Sequence, residues 1–90
     1  MNSKSANVAA AGILQAVAAA GAMGAPGGVL YAGLMSSGYS LAEYEQIVGA
    51  LQAGALISKR GDCFTLTAAG RAMNDKISAA IAAHQQRAAA

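Results

Sequence analysis

The chain has 90 residues, which is the length of one domain with one modest core. Apolar residues make up 56%, but 25 of those 50 are alanine, so the composition favours helix strongly. Charged residues are only 11% and the net charge is +2, a balance that permits contact with nucleic acid without arguing for it. The low charge and high apolar share exclude a disordered chain. One cysteine (Cys63) excludes an intrachain disulfide, and one Cys with one His (His84) argues against a zinc site.

Residues 1–4 are a short polar lead. Helix one is expected from about Ser5 to Ala22, with Ser5 or Asn7 as N-cap. Its Ala10, Ile13, Leu14, Val17 and Gly21 recur at helical spacing and predict one buried face. No charge occurs between Lys4 and Glu43, and Val8–Gly24 is apolar except for Gln15. Two other readings of this stretch are a membrane span and an export signal, with Ala20-Gly21-Ala22 as the cleavage site. The span is short and built of weakly apolar Ala and Gly, and neither alternative needs a one-sided face. The expectation is therefore a cytoplasmic chain with no membrane partner.

Gly21 and Gly24 end helix one. Pro26 falls where the first turn of helix two begins, a position that tolerates its missing N–H. Helix two runs to about Met35, with Leu30, Tyr31 and Leu34 inward, and Ser36-Ser37-Gly38 breaks it. Ser40-Leu41-Ala42-Glu43 is an S-x-x-E capping box that starts helix three, and Tyr39 is placed to staple to Tyr44. Tyr44, Ile47, Val48 and Leu51 form the buried stripe, and Gly54 is the expected left-handed stop.

The period then changes. Residues 55–58 and 63–67 read as two strands of a hairpin, with Lys59-Arg60-Gly61-Asp62 as the turn. No strand is expected between residues 8 and 35. Thr67 caps helix four, which runs from Ala68 to about Gln86 with Met73, Ile77, Ala80, Ile81 and His84 as its stripe. The chain is thus expected to be mainly α with a small β-hairpin. It forms a single domain over 1–90, with a core at 5–67 and a C-terminal helix at 68–86.

The order of three helices, a hairpin and a closing helix resembles a winged helix-turn-helix domain of the small bacterial transcriptional-regulator type, a reading that requires the hairpin at 55–67 and no strand between residues 8 and 35. The stretch that carries the resemblance is YSLAEYEQIVGALQAGALISKRGDCFTLTAAGRAM, Tyr39 to Met73. A capped helix leads into I-V-x-x-L-x-x-x-G-A-L-I, a short basic turn and L-T-x-x-G-R. The resemblance implies that helices two and three are the helix-turn-helix, that helix three is the recognition helix and that 55–67 is the wing. It implies double-stranded DNA as partner, with Gln46 reading a base, Tyr39 and Ser40 near phosphate, and Lys59 and Arg60 on the backbone. It also implies a homodimer through Met73, Ile77 and Ile81.

The residues support a second reading. The outer face of helix three carries Ala42, Gln46, Gly49 and Ala53, flanked by Glu43 and Glu45. No Lys or Arg lies between Lys4 and Lys59. Phosphate neutralisation dominates DNA affinity, so this face also fits a winged-helix module that binds a protein partner and no DNA. Neither reading needs a cofactor or metal. No catalytic residue is expected: one His, one Cys and four scattered carboxylates make no nucleophile–base set. Gly24, Gly27 and Gly28 lack the preceding strand and following G-K-[ST] of a phosphate loop.

Overall fold

A computed structural model describes residues 3–89, and the side chains of residues 5–86. The elements in order are α1 (Ser3–Ala20), a 3₁₀ turn (Gly21–Met23), β1 (Ala25–Pro26), α2 (Gly27–Ser36) and α3 (Leu41–Ala53). They are followed by β2 (Ile57–Arg60), β3 (Cys63–Leu66) and α4 (Ala68–Ala89). The strands form one antiparallel sheet in the order β1-β3-β2. The chain is therefore mostly helical with a small sheet.

One core is built from α1, α2, α3 and the sheet, and α4 packs the partly buried Ile77 against it. α1 contributes Ala9, Ile13, Leu14 and Val17, α2 Leu30 and Leu34, α3 Tyr44, Ile47, Val48 and Leu51, and the sheet Ala25, Ile57 and Phe64. The predicted stripe of α3 is these residues, and that of α2 is Leu30 and Leu34, with Tyr31 only partly buried. The stripe of α1 is rotated slightly: Ala9 is buried, Ala10 only partly, and Gly21 is exposed. The helix also starts earlier than expected, at Ser3, so Ser5 and Asn7 lie inside its first turns and do not cap it.

The expectation of no strand between residues 8 and 35 fails at Ala25–Pro26. This strand has two residues, and it pairs Ala25 with Phe64 and Pro26 with Cys63. Pro26 is consequently the N-cap of α2, in an extended conformation (φ −61°, ψ 137°), and not its first helical residue. The Gly27 N–H donates to the Asp62 carbonyl at 2.8 Å, which ties the start of α2 to the hairpin turn. Gly24 makes the approach to β3 feasible. Its φ is 85°, and a Cβ there would sit 3.0 Å from Cys63 Cβ and 3.1 Å from the Phe64 carbonyl oxygen.

α2 ends in a Schellman turn: Gly38 N–H donates to Met35 O at 3.0 Å and Tyr39 N–H to Leu34 O at 3.1 Å. α3 ends the same way, with Ala55 N–H on Gln52 O (3.0 Å) and Leu56 N–H on Leu51 O (2.9 Å). Here the left-handed residue is Ala55 (φ 57°), whereas Gly54 stays at φ −81°. The expected stop is thus displaced by one residue, onto a side chain that prefers other backbone regions. The hairpin turn is also tighter than expected. Lys59 and Arg60 belong to β2, and Gly61-Asp62 alone connects the strands, with Gly61 at φ 61° as the first position of a type II′ turn requires.

α4 is capped as expected: Gly70 N–H donates to Thr67 Oγ1 at 3.0 Å. The same hydroxyl donates to the Ala55 carbonyl at 2.5 Å, and the Thr67 N–H donates to the Leu56 carbonyl at 3.1 Å. Gly70 lies against that carbonyl, where an added Cβ would be 1.8 Å from Leu56 O.

These two positions should respond in opposite directions. Gly70→Ala forces α4 off the Leu56 carbonyl and should cost about 3 kcal/mol or more. Ala55→Gly removes left-handed strain and should stabilise by about 0.5 kcal/mol, after the larger backbone freedom of glycine in the unfolded chain is counted. Urea midpoints of both variants check this; a Gly70→Ala variant as stable as the parent would show that α4 does not seat there.

Candidate functional site

The candidate surface is the solvent side of α3 with the hairpin beside it. α2, the Schellman turn and α3 hold this side outward, because Tyr44, Ile47, Val48 and Leu51 face the core. Leu41, Ala42, Glu45, Gln46, Gly49, Ala50, Gln52 and Ala53 are all exposed, so the open face is wider than the ridge of 42, 46, 49 and 53. Leu41 is 49% exposed, an apolar residue at the open N-terminal end of the helix.

Local hydrogen bonds set this end. Glu43 N–H donates to Ser40 Oγ at 3.1 Å, and Ser40 N–H donates to Glu43 Oε1 at 2.9 Å, which completes the capping box. The backbone bond from Ser40, followed by its side-chain bond, lowers the Glu43 pKa below the ordinary value of 4.5. The rings of the expected staple are engaged elsewhere. Tyr39 donates its hydroxyl hydrogen to the Ser5 carbonyl on α1 at 2.8 Å. Tyr44 donates to the Gly27 carbonyl at 3.1 Å and packs tilted against Tyr31 with centroids 5.5 Å apart. Desolvation, then the charge of Glu45, raises the Tyr44 pKa above its ordinary value.

The structure does not gather the five residues expected at DNA into one patch. Ser40 is exposed but is held by its cap, and the single hydroxyl hydrogen of Tyr39 is directed inward. Gln46 lies over a shallow apolar groove toward α1, beside Ala6, Asn7 and Ala10. Lys59 and Arg60 are consecutive strand residues and therefore point to opposite faces of the sheet. Lys59 lines the groove between α3, the start of α2 and the hairpin, together with Glu45, Gln52 and Asp62. Arg60 lines a different cleft, with Arg71, Asn74 and Asp75 of α4. Sequence reading missed Gln52 and Glu45 as groove residues. They flank Val48 at spacings of four and three, so helical spacing places all three along one ridge.

The expected interface of α4 is open. Met73 and Ile81 are each 41% exposed, while Ile77 is partly buried against the core. His84 is exposed. Among the described residues no group of three or more His, Cys, Asp or Glu could hold a metal. Ser5–Met23 is long and apolar enough to cross a membrane by length and composition, and in this fold it supplies four core residues. No family model, curated protein or solved structure matches the chain.

The capping box gives a pH prediction. A carboxylate whose native pKa is lowered stabilises the fold above its unfolded value, and that contribution is lost as pH falls through the native value. The advantage of the parent over Glu43→Gln should be present at neutral pH and disappear as pH drops below about 4.5. Ser40→Ala should cost on the order of 1 kcal/mol at neutral pH. Thermal unfolding across pH checks both, and a parent–Gln difference independent of pH would show that Glu43 does not cap as an anion.

Proposed function

We propose that this chain is a winged helix-turn-helix domain that acts as a protein-binding module through the solvent face of α3. The order α2, tight turn, capped α3, hairpin and closing α4 supports the fold reading. The strand at 25–26 breaks the strand-free 8–35 that this reading required, and the reading is kept on the order of helices alone, because β1 lies along the hairpin and displaces none of them. The observation that carries the choice of partner is charge. The groove beside α3 brings together Glu45 and Asp62 against Lys59 alone, which leaves the surface acidic. Duplex DNA needs the opposite sign there. Small exposed residues at 42, 49, 50 and 53 let another chain approach the helix closely.

The second reading is a small DNA-binding transcriptional regulator. It is favoured by Lys59 lying beside α3 and by two exposed amides, Gln46 and Gln52, of the type that reads adenine. Either reading suits a cytoplasmic protein without a cofactor, and the unpaired Cys63 thiol suits a reducing compartment. Titration with duplex DNA at low salt separates the two. The module reading expects no saturable binding. The DNA reading expects weak binding with a log–log salt slope of about −1 to −2 per protomer, since Lys59 and one further cation are available and each neutralised phosphate contributes about −0.9. A steeper slope with defined sequence preference overturns the module reading.

We further propose a homodimer through α4, centred on Met73, Ile77 and Ile81. Sedimentation at micromolar concentration should give the dimer mass, and Ile81→Asp should give the monomer. A parent that remains monomeric at high micromolar concentration would sink this interface.

A further inference from the structure

We infer that the cleft between α4, β2 and the end of α1 is a binding site for a small zwitterion, such as an amino acid or the backbone of a short peptide. The site is separate from α3 and does not rest on what that face binds. Its side chains carry both signs. Arg60 reaches it from β2 and Arg71 from α4, and Asp75 lines the same cleft. Asn74 lines the cleft as well, and its Oδ1 is shielded from solvent and has no hydrogen-bond partner. Val17 and Leu66 supply an apolar floor.

Each feature selects part of the ligand. Two guanidinium groups from different elements favour a carboxylate, which a fork of N–H donors can grip on both oxygens. The Asn74 oxygen has no donor where it lies, and a turn of its side chain into the cleft lets a ligand N–H satisfy it, so a ligand that brings a donor gains there. Asp75 favours a positive group and disfavours a multiply charged anion. One negative group beside one cationic donor meets all of these conditions. A phosphate meets only the first, and an ammonium ion only the others.

The test uses the full chain and three probes: glycylglycine, acetate and inorganic phosphate. Proton–nitrogen correlation spectra should show saturable shifts at Arg60, Arg71 and the Asn74 side-chain amide with glycylglycine, and weaker shifts with the other two. Arg71 and Asp75 are exposed, so Arg71→Gln and Asp75→Asn should fold. Each should weaken glycylglycine binding about tenfold, the worth of one charge-assisted hydrogen bond. Phosphate binding as tight as or tighter than glycylglycine overturns the proposal and makes the cleft a plain anion site. No saturable shift with any probe at millimolar concentration overturns it outright, as does unchanged affinity in both variants.

Discussion

The contact between Gly70 and the Leu56 carbonyl fixes the geometry of the second half of the molecule. At this point the end of α3, the start of β2 and the first turn of α4 meet within one hydrogen-bond network. The Leu56 carbonyl accepts from Thr67 N–H, the Ala55 carbonyl accepts from Thr67 Oγ1, and that hydroxyl in turn accepts from Gly70 N–H. Only a residue without a Cβ can stand there, because the Cβ would overlap the carbonyl oxygen. Leu56 can present that carbonyl because α3 has already turned at Ala55. A strained residue at the exit of α3 and a glycine at the entry of α4 thus serve the same joint. The joint sets the angle of α4, and with it both the exposed stripe of α4 and the cleft that Arg71, Asn74 and Asp75 line.

Charge is distributed by the strand period as much as by composition. The chain carries no charge from residue 5 to residue 42, so α1 beyond Lys4 and the whole of α2 are made of apolar and neutral residues. The charged residues of the hairpin are then divided by the sheet itself. Lys59 joins Glu45 and Asp62 on the α3 side, and Arg60 joins Arg71 and Asp75 on the α4 side. Two adjacent cations that look like one basic tip in the sequence therefore serve two surfaces. A chain with a net charge of +2 consequently presents an acidic face at α3.

What was legible in the sequence was local. The capping box at Ser40 and Glu43, the Thr67 cap and the stripes of α2 and α3 are all decided within one or two turns, and each occurs where residue types and spacing put it. β1 was not legible, because two residues that include a proline have no alternation and exist as a strand only through pairing with β3. The choice between Gly54 and Ala55 as the left-handed residue depends on how the chain must leave for β2, which local preference for glycine does not contain. Gly70 reads as an ordinary helical glycine until the distant Leu56 carbonyl is placed against it. At the candidate site, spacing put Gln46 on the open face of α3, but the inward hydrogen bond of Tyr39 to Ser5 spans 34 residues and no local pattern announces it.

The proposed interface on α4 rests on the far half of the helix. At 100° per residue, Gly70, Asn74, Ile77 and Ile81 fall within about 40° of a common direction, the side that faces the body of the domain. Gly70 is buried there, and Asn74 and Ile77 are partly buried, but every residue from 78 to 86 is exposed. The helix therefore continues past the end of its own core while keeping an apolar residue on its inner side. An isolated segment of that length is marginal as helix in water. Here it is propagated from a capped and clamped first turn and from a run rich in alanine, so helicity alone requires no partner. The placement of Ile81 is a different matter, since alanine propagates a helix equally well at that position. An isoleucine on the inner side, one turn beyond Ile77, extends the buried stripe onto a surface that a second copy would cover.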